Sequence, residues 1–113
     1  MNSQLSEARE AIEYLNAERK KYGLGGFRAS ATGTTNPVIS RLKEGYSLED
    51  IKMVISGRCK KWGQDPKMQE YLRPSTLFRV SKFPGYLADA ESVTEEEPDY
   101  IQNAFRKING AQA

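Results

Sequence analysis

The sequence predicts an all-α fold: a small compact bundle of about four to five short helices with an additional C-terminal amphipathic helix or flexible tail. Apolar residues recur at three- and four-residue steps, the spacing that places them on one face of a helix. No segment sustains the apolar–polar alternation that is typical of a half-buried strand. Residues that start and stop helices also flank the periodic segments.

The first helix is predicted to begin near Ser3 or Ser6, because a serine hydroxyl can accept a hydrogen bond from an N–H of the first turn. Gly23 is the expected stop. A loop from Gly23 to Thr35 follows, with Phe27 expected to anchor it to the core. The apolar stripe of this first helix consists of Leu5, Ala8, Ile12 and Leu15.

Two further helices follow the loop. We expect Asn36 to cap the second, with Pro37 at its first position, where the missing N–H costs nothing. Ser47 to Asp50 resembles a capping box and predicts the start of the third helix. Gly63 is the expected end of that helix. Its apolar face consists of Leu48, Ile51, Ile55, Cys59 and Trp62.

The last part of the domain is predicted to consist of short helices. Asp65-Pro66 predicts one or two turns, which Arg73-Pro74 stops because the residue before a proline avoids the α region. Ser75-Thr76 indicates a new start, and a small closing helix carries Phe83, Tyr86 and Leu87. The predicted domain spans residues 1–91, and residues 92–113 form an acidic linker and amphipathic tail. Tyr100, Ile101, Phe105 and Ile108 are the tail's expected partner-binding residues.

Composition limits the chemistry. The chain of 113 residues has one cysteine and no histidine, so an intrachain disulfide, the common zinc sites and the usual base near neutral pH are excluded. The acidic residues fit helix starts and solvated runs, so we expect no enzyme, metal or cofactor. No apolar run reaches the length of a membrane span, and Met1-Asn2-Ser3 opens no signal peptide. A cytoplasmic protein is expected.

The net charge of +2 conceals a strong asymmetry. Residues 1–18 carry −3, residues 83–113 carry −4, and residues 19–82 carry fourteen bases and five acids, giving +9. A basic middle segment attracts phosphates and releases counterions when it binds them. The candidate DNA-binding residues are Arg28, Arg41, Lys43, Lys52, Arg58, Lys60, Lys61, Arg73, Arg79 and Lys82. Several of these cations also suit helix ends, a purely structural role.

Three motifs in order carry a family resemblance. They are Glu44 to Asp50, Trp62 to Phe78 and Lys82 to Leu87. Together they resemble the conserved C-terminal domain of phage replication-initiation proteins (replisome organisers), which is distantly similar to the second domain of DnaD-type primosome proteins. The resemblance spans roughly Ala11 to Glu91. Its motif residues, expected to be mainly structural, are Trp62, Tyr71, Leu72, Arg73, Pro74, Thr76, Leu77, Phe78, Phe83 and Tyr86.

The resemblance implies a phage- or prophage-encoded protein of the bacterial host cell. It implies an accessory role in DNA replication, with contacts to DNA, non-specific or single-stranded, and to a replicative helicase or helicase loader. If the closing motif packs against the third helix, Arg73, Arg79 and Lys82 are expected to converge with Lys52 and Lys60. Aromatic residues could stack on unpaired bases, although Trp62, Tyr71 and Phe78 occur at core spacings.

Two other readings stay open. The chain could be a phage-encoded modulator of a host protein without nucleic-acid contact, since an acidic segment followed by an amphipathic helix suits docking in a groove. Alternatively, the tail of residues 92–113 could fold over the basic middle and mimic phosphate. Removing the tail would then strengthen DNA binding.

Overall fold

The computed structural model describes the backbone of residues 3–96 and the side chains of residues 4–91. The predicted tail residues Tyr100, Ile101, Phe105 and Ile108 lie outside the described residues. The described backbone contains helices and no strand, so the all-α prediction is confirmed. The helices are α1 (Ser3–Lys20), α2 (Thr32–Lys43), α3 (Leu48–Trp62), α4 (Pro74–Leu77) and α5 (Phe83–Glu96), with a single 3₁₀ turn at Gln69–Tyr71 between α3 and α4.

Helix α3 is the centre of the bundle. It packs against α1, α4 and α5, while α2 packs against α1 and α4. Burial of each large apolar side chain in such a core stabilises the fold by about 1.5–3 kcal/mol. The residues of the predicted α1 and α3 faces that become fully buried are Ala8, Ile12, Leu15, Ile51, Ile55 and Cys59.

The start of α3 agrees with the sequence. The Ser47 Oγ accepts a hydrogen bond from the Asp50 N–H at 3.1 Å, and the Asp50 carboxylate accepts one from the Ser47 N–H at 3.0 Å. This reciprocal pair is a capping box, with the acid in its usual third position. At the other end, Gly63 lies so close to the Tyr22 ring that a Cβ would come within 2.6 Å of it. The end of α3 therefore requires glycine for close packing.

The start of α2 differs from the prediction. The helix begins at Thr32, so Asn36 is not its cap and Pro37 lies inside it. Threonine and glycine are weak helix formers, which is why the segment from Thr32 to Thr35 was predicted to be a loop. Burial of Thr35 in the folded protein offsets that preference, and within the first turn its hydroxyl donates to the Ala31 carbonyl at 3.2 Å.

The closing helices also differ in their bounds. Arg73 is extended, as expected before a proline, and α4 begins at Pro74 rather than at Ser75. Helix α5 is longer than the small helix predicted and runs across the expected boundary after residue 91. No helix in residues 3–96 is both long and apolar enough to cross a membrane.

Candidate nucleic-acid interface

A groove at one end of α3 gathers cations and aromatic rings from four successive elements. We call it the cationic groove. Its volume is about 420 Å³. Its cations are Arg73, Arg79 and Lys82, its rings are Trp62, Tyr71 and Tyr86, and Met68, Ser75 and Thr76 complete the lining. No carboxylate lies among these lining residues.

The shortness of α4 brings the three cations together. Arg73 immediately precedes this four-residue helix, and Arg79 follows it after a single residue. The N–H groups of Lys82 and Phe83 both donate to the Arg79 carbonyl, at 3.0 and 2.8 Å, so the turn that carries Arg79 and Lys82 is fixed. All three side chains are exposed. Within the described residues, none of them forms an ion pair.

The aromatic side of the groove is built across α3 and α5. The Trp62 and Tyr86 rings meet edge to face, with centroids 5.7 Å apart. The Arg58 guanidinium lies 4.9 Å from the Trp62 centroid and 4.7 Å from that of Tyr86. It also forms an ion pair with Asp89 at 3.2 Å. Arg58 therefore joins α3 to α5 behind the two rings.

The third ring belongs to the 3₁₀ turn. Arg73 lies with its guanidinium 5.8 Å from the Tyr71 centroid, and its Nε donates to the Thr76 hydroxyl at 3.4 Å. Arg73 is nevertheless exposed to solvent. The groove can thus offer charge to phosphates and ring faces to planar groups.

Two of the predicted DNA-binding residues cannot take that role as expected. Arg41 and Arg58 are only 7% and 6% exposed. Arg41 donates to the Phe78 carbonyl at 2.9 Å and pairs with Glu44 at 3.0 Å, which ties α2 to the end of α4. Arg58 pairs with Asp89 at 3.2 Å and lies against the rings of Trp62 and Tyr86, so both guanidinium groups make their contacts inside the protein.

The expected convergence of five cations is not found. Lys52 and Lys60 line a second groove of about 290 Å³, bounded by α1, α3 and α5, rather than the cationic groove. Lys52 pairs with Glu10 at 2.9 Å and lies 5.5 Å from the Tyr14 ring centroid. The hydrogen bond that Lys52 donates to the Glu10 carboxylate raises the pKa of Lys52. The remaining candidates, Arg28, Lys43 and Lys61, are exposed but line neither groove.

The family motif has both buried and groove-lining members. Leu72, Pro74, Leu77, Phe78 and Phe83 are buried, which fits the structural role expected for them. The half-buried members are Trp62, Tyr71, Thr76 and Tyr86, and all of these line the cationic groove.

The sequence does not predict the structural role of Arg19, which lies in the last turn of α1. Its guanidinium lies 4.7 Å from the Phe27 ring centroid and donates to the carbonyls of Gly25 and Leu72. Partial burial lowers the pKa of Arg19. Asn16 helps to hold the same loop through two hydrogen bonds with the Phe27 backbone, at 2.7 and 2.8 Å. Met68 and Ser75 also line the cationic groove, and they were not identified as site residues from the sequence because neither belongs to a pattern that predicts a groove.

The remaining reactive groups do not form a site. Cys59 is fully buried, and desolvation raises the pKa of its thiol to about 12. The thiol is therefore protonated at neutral pH and is a poor nucleophile. Among the described residues, no group of three potential metal-ligating side chains occurs.

Comparison with known protein families gives a match to a phage family. The sequence profile of a family described as "conserved phage C-terminus" matches residues 11–88. The chain belongs to this phage family. The matched range contains every residue that lines the cationic groove of this phage domain. No curated protein and no solved structure matches the chain.

Proposed function

We propose that this phage domain is a non-enzymatic accessory module of DNA replication in the cytoplasm of the bacterial host. It binds DNA, non-specifically or as single strands, through the cationic groove. The observation that carries the proposal is the meeting of Arg73, Arg79 and Lys82 on a groove whose lining has no carboxylate.

The physical basis is the attraction of phosphates by cations that no acid neutralises. Each phosphate contact releases condensed counterions, so the observed binding constant falls as salt rises. Three contacts on a single strand predict a log–log salt slope of about −2. Contacts to phosphates carry no sequence information, so binding through these cations suits a domain with little sequence preference.

The replication role rests on the resemblance to replisome organisers, and the membership of a phage family is consistent with it. A replicative helicase or its loader is the protein partner that this role implies. DNA replication exposes single strands where a helicase is loaded. A small domain that binds single-stranded DNA and the helicase or its loader would keep the protein at that DNA. In this proposal the cationic groove is the DNA-binding site.

Our first prediction concerns charge in the groove. We expect the Arg79→Ala, Lys82→Ala double variant to lose about tenfold or more in affinity for a labelled single-stranded oligonucleotide at low salt. The salt slope should fall to about −0.7, because one phosphate contact remains. Fluorescence anisotropy between 50 and 200 mM salt, roughly the range over which such binding changes most, measures both quantities.

The matched control is Arg28→Ala, Lys43→Ala, which removes the same charge from exposed positions outside the groove. We expect this variant to keep most of the affinity. Equal losses in the two double variants would mean that overall charge, and not the groove, drives binding. Affinity that does not change with salt would contradict the proposal as a whole.

A second candidate function is a modulator of a host protein that does not contact nucleic acid. The second groove favours it, because Glu10 neutralises Lys52 there and Tyr14, Met53 and Ala90 supply apolar surface. Such a surface suits an apolar segment of a partner protein more than a phosphate chain. Two results together would favour this function. The protein would bind no DNA at any salt concentration, and it would bind a purified host replication protein saturably, with the Met53→Asp variant losing that binding.

A further inference from the structure

Phosphate binding does not explain the aromatic side of the cationic groove. Cations alone attract a phosphate chain, yet Trp62, Tyr71 and Tyr86 place three half-buried rings on the same lining. A planar base can stack on such rings in a way that tolerates any sequence. In a duplex the base faces are covered by their neighbours, so only an unpaired base can use them.

Arg58 is the second unexplained feature. Its side chain is 7% exposed, its Nε has no hydrogen-bond partner within the described residues, and its single ion pair is to Asp89, which is 58% exposed. Burial of a charge with so few partners is costly. The guanidinium lies within 5 Å of both the Trp62 and the Tyr86 ring centroids, so it holds the two rings in their edge-to-face arrangement.

We propose that the cationic groove binds an unpaired base of single-stranded DNA against the Trp62 and Tyr86 rings, and that the Arg58–Asp89 pair positions those rings. This inference rests on the proposed function and names the ligand class of the same site. A groove of about 420 Å³ is within the size range of sites that hold small organic groups. Arg58 is a positioning residue here, since it acts through the rings.

The test compares a dT oligonucleotide with an abasic strand of equal length, which has the same phosphates but no bases. We expect the wild-type protein to bind the dT strand about tenfold more tightly. Trp62 is the single tryptophan of the chain, so its emission reports on the groove directly. Only the dT strand should quench it strongly.

The variants distinguish the contribution of the rings to binding from that of the cations. Arg79→Ala, Lys82→Ala should weaken binding of both strands and keep their ratio. Asp89→Ala should lower the ratio at least threefold while leaving the salt slope unchanged. Glu91→Ala is the matched control, because it removes the same charge from an exposed position on the same helix, and it should keep the wild-type ratio. Arg58→Met should reduce the ratio further, and if it fails to fold, Asp89→Ala decides the positioning role.

The outcomes are distinguishable. If neither strand binds, the proposed function itself fails. If both strands bind equally and with a steep salt slope, the proposed function stands and the base-binding inference is overturned. An unchanged ratio in Asp89→Ala would overturn the positioning role. If an rU strand binds more tightly than the dT strand, the assignment to DNA is overturned. If a duplex competes as well as the dT strand, the assignment to unpaired bases is overturned.

Discussion

At the scale of single residues, chemical type alone does not decide a role. Arg73 and Arg58 are both arginines of the basic middle segment, yet one is exposed on the groove and the other is buried against two rings. Charged side chains are exposed in most proteins, so sequence reasoning placed Arg41 and Arg58 on the surface. Only their neighbours, the Phe78 carbonyl and Asp89, explain why burial is tolerated.

Cys59 gives a prediction for pH. Because burial raises its thiol pKa from 9.0 to about 12, the unfolded state loses this proton at lower pH than the folded state does. The stabilisation is therefore complete below about pH 8 and is lost progressively as the pH rises toward 12. Between pH 8 and pH 10 we expect wild-type protein to lose about 1–2 kcal/mol more stability than Cys59→Ala. Urea unfolding at each pH measures the difference, and parallel curves for the two proteins would contradict it.

At the scale of elements, caps and prolines predicted the bounds of a helix well only where side-chain hydrogen bonds or a proline fix the first turn. The capping box of α3 was identified from four residues, whereas α2 begins at Thr32, five residues before its predicted first residue Pro37, and buries Thr35. Arg73-Pro74 fixes the start of α4, and the shortness of this helix places Arg73 and Arg79 on the same groove. Element bounds therefore determine the composition of the site.

The α3 cap gives a prediction for stability. Ser47→Ala removes the acceptor of the Asp50 N–H and should destabilise the protein by about 1 kcal/mol. Urea unfolding with an unchanged m-value would measure it. Ser81→Ala is the control, because Ser81 is exposed in the turn before α5, and its effect should lie within about 0.5 kcal/mol. Equal stability of Ser47→Ala and wild type would show that the cap contributes nothing.

At the scale of the whole molecule, α3 lines two grooves. The end of α3 contributes Trp62 to the cationic groove, while its half-buried residues Lys52 and Met53 line the second groove. Helix α5 borders both grooves through Tyr86 and Ala90. A partner protein in the second groove would leave the cationic groove free for DNA.

Phe83 gives a prediction for the integrity of the fold. It is fully buried, and its ring meets Tyr46 at 4.7 Å and Phe78 at 6.2 Å between centroids, so it joins α5 to two other parts of the chain. Phe83→Ala should cost about 3–5 kcal/mol, a large part of the stability of a small domain. Thermal unfolding followed by circular dichroism measures the loss. Val80→Ala, at a side chain that is 61% exposed, should change stability by less than about 0.5 kcal/mol.

The sequence by itself determined that the chain is helical, where α1 and α3 present their apolar faces, and that its basic middle lies between acidic segments. These features depend on periodicity and on cap chemistry, which act over three or four residues. Only the tertiary structure decided which cations meet. Arg73, Arg79 and Lys82 share a groove, Lys52 is paired with Glu10 elsewhere, and Arg41 and Arg58 are buried. The physical reason is that a side chain's neighbours across the bundle depend on how helices pack, and contacts between residues far apart in the chain leave no local signal.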